Sequence, residues 1–217
     1  MMSKVVIFDM DGVLFDTERL YRQCWSTLDT TSLKDIDEVL KACIGSNEQK
    51  TQKIFRTHYG ETFDFDGYHA RAKEVFQKHL KEHGMPMKEG VYELLEYLKK
   101  ADYKIGLASS TRTEIVKEEL EAAKIAQYFD VIVGGDQVKE SKPNPEIFLY
   151  ACEKLGEKPE KAMVIEDSLN GIRAAYAAGM KPIMVPDLVL PTEEIEALLY
   201  YKFESLLEVR DFLRSQG

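Results

Sequence analysis

The sequence predicts an α/β protein, a doubly wound parallel sheet with an inserted α-helical cap domain after its first strand. Three observations carry this. The unbroken apolar run Val5–Phe8 has the length and composition of a buried strand. Residues 18–83 then show helical stretches without a convincing strand. From Gly84 onward, helical stretches alternate with short apolar runs, the pattern of parallel strands joined by right-handed crossovers.

The helical segment divides into stretches at 18–28, 36–43, 48–58 and 68–83, with turn signals at Gly45-Ser46-Asn47, Tyr59-Gly60 and Asp66-Gly67. Gly84-Met85-Pro86 reads as a linker. Beyond it, the runs 104–108, 131–133, 162–165 and 182–185 are too short for helices and apolar enough for strands covered on both faces. Helical stretches fall at 91–100, 112–123, 145–155, 171–178, 193–199 and 206–214. Asn170-Gly171 would ordinarily suggest a hairpin, but here it leads into a helical run. Residues 1–15 and 86–217 are therefore expected to form the core and residues 16–85 the inserted domain. Charge supports the division: 16–85 is close to neutral, and the acidic excess lies outside it.

In open α/β sheets ligands bind beyond the carboxyl ends of the strands. The first run delivers Asp9 and Asp11 to the turn at Gly12, and a strand this apolar carries acids at its end only if something offsets their desolvation. Mg²⁺ does so, because it takes carboxylate oxygens and leaves room for a phosphate. A solvated acidic turn is the simpler alternative. Run 104–108 leads into Ser109-Ser110-Thr111, either a hydroxyl-and-N–H anion site or a helix cap. Run 131–133 leads through Gly134-Gly135-Asp136 to Lys142, which Pro143 and Pro145 can stiffen and aim inward. Asp136 is expected to orient the Lys142 loop. Run 162–165 ends in Glu166-Asp167-Ser168, a second acidic pair or an acidic helix start. Two carboxylates, a hydroxyl with N–H donors, a lysine and two further carboxylates make up the inventory of phosphoryl transfer.

Composition excludes other classes. The chain has 217 residues, 44% hydrophobic and 31% charged, with a net charge of −9 that argues against nucleic-acid and anionic membrane surfaces. No run approaches a membrane span, and no secretory or transit segment is expected. Cys24, Cys43 and Cys152 form no CxxC pattern, so a reducing, cytoplasmic setting fits better than a disulfide framework. All four histidines lie in the helical segment; His79 and His83 have metal-pair spacing, but their charged neighbours suggest an exposed helix face.

Four blocks, in order, carry a resemblance. They are Asp9-Met10-Asp11-Gly12-Val13-Leu14-Phe15-Asp16-Thr17-Glu18, Leu107-Ala108-Ser109-Ser110-Thr111, Ser141-Lys142-Pro143-Asn144-Pro145-Glu146-Ile147-Phe148, and the stretch Val164 to Ala175 with Ala178-Gly179-Met180 beyond it. The chain resembles the haloacid dehalogenase-like superfamily, within it the β-phosphoglucomutase-like phosphatases with a Rossmann-like core and a helical cap. The resemblance implies an Mg²⁺-dependent phosphatase acting on a small phosphorylated metabolite. Asp9 would be the nucleophile and Asp11 the acid and base. Ser109, Ser110 and Lys142 would hold phosphate, and Asp9, the Asp11 carbonyl, Glu166 and Asp167 the metal. No nucleic-acid or membrane partner and a monomer or weak dimer are expected. Mutase members of that group carry a histidine and an arginine where this chain has Tyr21 and Glu48, which favours hydrolysis over isomerisation. A sugar-phosphate mutase and a non-catalytic phosphate-binding protein are the alternatives.

Overall fold

The computed structural model describes residues 4–28, 33–44, 46 and 48–216. Strands β1 (Val5–Phe8), β2 (Lys104–Ser109), β3 (Val131–Gly134), β4 (Ala162–Glu166), β5 (Lys181–Met184) and β6 (Tyr201–Lys202) form one sheet in the order β3-β2-β1-β4-β5-β6. Every pairing is parallel. The chain winds outward through β2 to β3, then returns past β1 to lay down β4. β1 is therefore the strand at which the winding reverses, and a crevice opens beyond its carboxyl end.

Helices α1 (Thr17–Ser26), α2 (Ile36–Cys43), α3 (Glu48–Tyr59) and α4 (Phe65–His83) make up the inserted segment. α5 (Val91–Lys100), α6 (Thr113–Ala122), α7 (Glu146–Lys154), α8 (Leu169–Ala177), α9 (Glu193–Glu196) and α10 (Leu206–Ser215) cover the sheet. The apolar runs are unbroken because alternate residues enter opposite layers. Val6 and Phe8 pack with Leu94, Val116 and Val209 of α5, α6 and α10, whereas Val5 and Ile7 pack with Phe148 and Ala175 of α7 and α8. The helical segment has its own apolar cluster around Trp25, Phe55 and Phe65, with the Trp25 and Phe55 rings 4.7 Å apart.

Two features differ from the expectation. Asp66-Gly67 is no turn but the first turn of α4, where the Asp64 side chain accepts from Gly67 N at 3.0 Å; capping chemistry and turn chemistry draw on the same residues. β6 carries no apolar signal, since both its residues are exposed at the sheet edge; Tyr200 N donates to Pro182 O and Phe203 N to Met184 O. Gly45 and Asn47 of the expected turn lie outside the described residues. The chain leaves and re-enters the body side by side: Asp16 N donates to Pro86 O at 2.8 Å and Lys88 N to Leu14 O at 2.9 Å.

Phe55→Ala should cost about 3–5 kcal/mol, as loss of a buried ring does. Hydrogen exchange should accelerate in α1–α4 and leave the sheet amides protected. Equal acceleration in both would show that the two clusters unfold as one.

Candidate active site

The sheet register brings three sequence-distant groups together. Phe8 pairs with Leu107 on one side and Ile165 on the other, so Asp9 emerges level with Ala108 and Glu166. Its N–H remains tied to Ile165 O at 3.0 Å. Lys142, only 2% exposed, reaches in from the loop after β3. Its Nζ donates to Asp9 Oδ1 at 2.5 Å, Glu166 Oε1 at 2.7 Å and Ala108 O at 3.3 Å. Phe148 lies beneath it, with the ring centre 4.8 Å from Nζ.

The remaining Glu166 oxygen accepts from Ser168 N at 2.7 Å, and Ser168 Oγ caps α8 by accepting from Gly171 N. Both Gly171 and Gly12 hold open space for a carboxylate: a Cβ would collide with Glu166 in one case and with Asp167 in the other. Gly12 also sits at φ +84°, where the chain turns away from β1. Asp9, Glu166 and Asp167 consequently present oxygens all within 4.8 Å of one another. Hard oxygen donors, an excess of carboxylate over ammonium and two glycine clearances fit a small divalent cation.

Asp11 lies apart from that group. Its carboxylate accepts from Thr17 Oγ1 at 2.5 Å and Thr111 Oγ1 at 3.1 Å, which ties the start of α1 to the loop after β2. In that loop Ser110 and Thr111 face the cleft, while Ser109 is buried behind them with Oγ accepting from Thr111 N at 3.0 Å. Asp136 does not orient the Lys142 loop. Its Oδ1 accepts from both N and Oγ1 of Thr113, so it caps α6 from the neighbouring strand end. The Lys142 loop is braced instead by Glu146, whose Oε2 accepts from Lys139 N and Glu140 N, with Asn144 accepting from Glu146 N. The Lys142–Pro143 peptide is cis.

Crowding of acids in a buried place sets the electrostatics. Burial raises the Asp9 carboxyl to about 8, with Lys142 opposing and Glu166 and Asp11 adding to the rise. Asp167 is raised well above the ordinary range by burial, then by Glu166 and Asp9. Asp11 is raised by burial against its two threonine hydrogen bonds. Burial works against the Lys142 ammonium, but Asp9 and Glu166 outweigh it and its pKa rises.

A cleft of about 600 Å³ lies over these groups. Its floor includes Asp9, Asp11, Lys142, Glu166 and Asp167, and its opposite wall comes from α1, α3 and α4. Tyr21 and Glu48 both line it, as does His69, which the sequence reading passed over; Glu48 Oε1 lies 3.6 Å from His69 Nδ1. Burial lowers the His69 imidazole, with Glu48 opposing. Glu18, quoted above only as the end of the first block, and Glu119, which the sequence reading passed over, also enter the cleft. Burial and then Asp11 push Glu18 to about 7 and Glu119 to about 8. From α3 the cleft receives Glu48 and Thr51. A helical acid or histidine gives no local sign of facing a cleft, so only periodicity against a known wall would have found these residues.

Comparison with known proteins agrees with this geometry. Residues 6–185 match the family model described as haloacid dehalogenase-like hydrolase. A phosphorylated carbohydrates phosphatase of Thermotoga maritima is 38% identical over 185 residues, 83% of each chain. A phosphoglycolate phosphatase of Aquifex aeolicus is 32% identical over 82% of each. The crystal structure of CbbY from Rhodobacter sphaeroides in complex with phosphate superimposes with a TM-score of 0.77 at 27% identity, covering 96% of both chains. With a carboxylate at the end of its first strand, a buried lysine and an acidic cluster in one cleft, the chain belongs to the haloacid dehalogenase-like hydrolases and is a phosphoric monoester hydrolase of that family.

Proposed function

We propose that this protein is a cytoplasmic, Mg²⁺-dependent phosphatase that hydrolyses a small phosphorylated metabolite, a sugar phosphate or similar monophosphate, through an aspartyl-phosphate on Asp9. The observation that carries the reading is the Asp9 carboxylate held at the carboxyl end of the interior strand β1, between Lys142 and the Glu166-Asp167 pair, facing a cleft of metabolite size. The phosphorylated carbohydrates phosphatase of Thermotoga maritima supports the substrate class. Three free thiols suit a reducing compartment.

Asp9 attacks phosphorus, forming a phosphorus–oxygen bond as the bond to the leaving alcohol breaks. Asp11 gives its proton to the leaving oxygen; burial raises its carboxyl above the ordinary range, the direction that favours an acid role. Asp11 then takes a proton from water, whose oxygen attacks phosphorus and releases Asp9. Lys142 and Ser110, which line the cleft, hold the phosphate oxygens, with Ser109 standing directly behind Ser110. Ser109 Oγ uses a lone pair on Thr111 N and so retains its O–H to donate. Asp9, the Asp11 carbonyl, Glu166 and Asp167 would hold the metal. Bound there, Mg²⁺ supplies the positive charge that keeps Asp9 ionised and shields it from the phosphate. Residues 16–85 act as the cap that keeps water from the reaction. Glu48 on the cap wall is the wrong charge to grip a second phosphate, which favours hydrolysis over phosphate exchange within a bisphosphate.

Phosphate release from a panel of sugar and polyol monophosphates should require Mg²⁺ and fall roughly a thousandfold or more in Asp9→Asn. Release that survives the substitution would sink the mechanism. Conversion of glucose 1-phosphate to glucose 6-phosphate should run slower than release; the reverse order would make the protein a mutase.

Folding and proton binding are linked at this site. Asp9, Glu18 and Glu119 are raised to about 8, 7 and 8, so the folded chain binds more protons than the unfolded one from the ordinary carboxylate range up to those values. Their contribution is complete below that range and is lost as pH rises. Without metal, the melting temperature should fall between about pH 5 and about pH 8, and Mg²⁺ should restore more of it at the higher pH. Asp167→Asn should melt higher than the parent at about pH 8 without metal and lose most of the Mg²⁺ response. A parent melting curve indifferent to Mg²⁺ at both pH values would rule out the metal centre.

A further inference from the structure

The wall of the cleft beyond Asp11 contains a carboxylate with an unmet demand. Glu119 projects from α6 into the cleft, and its Oε2 is enclosed yet has no hydrogen-bond partner among the described residues. Lys73 of α4 lines the same cleft from the helical wall and interacts electrostatically with Glu119. Asp11 is the charge that acts on Glu119 most strongly. A leaving group whose oxygen is protonated by Asp11 therefore extends into the space that Glu119 and Lys73 border.

We infer that Glu119, with Lys73, reads hydroxyl groups of the leaving alcohol, so that the substrate is the monophosphate of an uncharged, polyhydroxylated carbon skeleton. This rests on the phosphatase reading and specifies its substrate. An enclosed carboxyl oxygen without a partner is costly, and a ligand hydroxyl removes the cost. A hydroxyl also suits either state of a carboxyl raised to about 8, because it can donate to the ionised form or accept from the protonated one. Neutral polar groups continue the wall, and Ser46 Oγ there is likewise enclosed without a partner among the described residues. Charge disfavours an anionic leaving group: Glu18, Glu48 and Asp66 join Glu119 on this side against Lys73 and Arg112.

The test compares kcat/KM with Mg²⁺ for sorbitol 6-phosphate, phenyl phosphate and phosphoglycolate. The parent should prefer the hexitol ester by about tenfold or more. Glu119→Leu should lower the ratio of hexitol to phenyl ester by roughly ten- to a hundredfold, and Glu119→Gln, which keeps an acceptor and a donor, should retain most of it. Lys73→Met should lower the same ratio. Loss of both activities in equal proportion in Glu119→Leu, an unchanged ratio, or a parent that prefers phosphoglycolate would overturn the assignment while leaving the phosphatase intact. No release from any ester by the parent, or release that persists in Asp9→Asn, would overturn the phosphatase reading and this one with it.

Discussion

Four carboxylates gather at one end of this sheet, and the Lys142 ammonium is the positive charge that reaches into them, bonded to Asp9 and Glu166. Taking such groups out of water is expensive, and the arrangement persists only with short, well-aimed hydrogen bonds on every side. Much of the surrounding architecture serves that requirement. Glu146 pins the backbone of the Lys142 loop, Phe148 floors the ammonium, and Gly12 and Gly171 give up their side chains so that two carboxylates can fit. Even so, one ammonium does not neutralise four acids. The excess of negative charge shows in the raised Asp9 and Asp167 carboxyls, and a divalent cation bound there would relieve it.

The same imbalance extends into the cleft. Glu18 and Glu119 are pushed up by burial and by Asp11, so the floor conditions the walls. The helical wall is positioned over that floor by contacts near its two connections. Asp187, on the loop after β5, accepts from Arg19 of α1 at 2.7 Å and from Lys88 at 2.8 Å, and its carboxylate is only 1% exposed. One buried carboxylate thus holds both ends of the insertion against the body. Asp11 adds a second tie through Thr17 and Thr111, so the group proposed for proton transfer also links the start of the insertion to the loop after β2.

Much of the fold was legible because burial on both faces of a parallel strand leaves an unbroken apolar run. The five apolar runs are found within a residue or two of their expected limits, and Ile36–Cys43 and Val91–Lys100 match the expected helices at both ends. β6 escaped because it is two exposed residues at the sheet edge, too short to leave an apolar run in the sequence. Asp66-Gly67 misled because a helix cap and a turn use the same residue types. Asp136 misled for a related reason. Its position between β3 and Lys142 suggested the nearer partner in sequence, but the parallel sheet places it beside Thr113.

Residues at strand ends were readable because their chemistry follows from local facts: an apolar run, a turn, and an acid, hydroxyl or lysine at the junction. The sequence alone therefore determined the α/β class, the helical insertion and the candidates Asp9, Asp11, Ser109, Ser110, Lys142, Glu166 and Asp167. Tertiary structure decided how they divide. Register and strand order put Asp9, Glu166 and Asp167 in one group, turned Asp11 toward two threonines, and set Ser109 behind Ser110. It also decided which helical residues face the cleft, because a helix presents every residue to some direction and only the packing of α4 against α1 and of α6 against the sheet selects Lys73, His69 and Glu119.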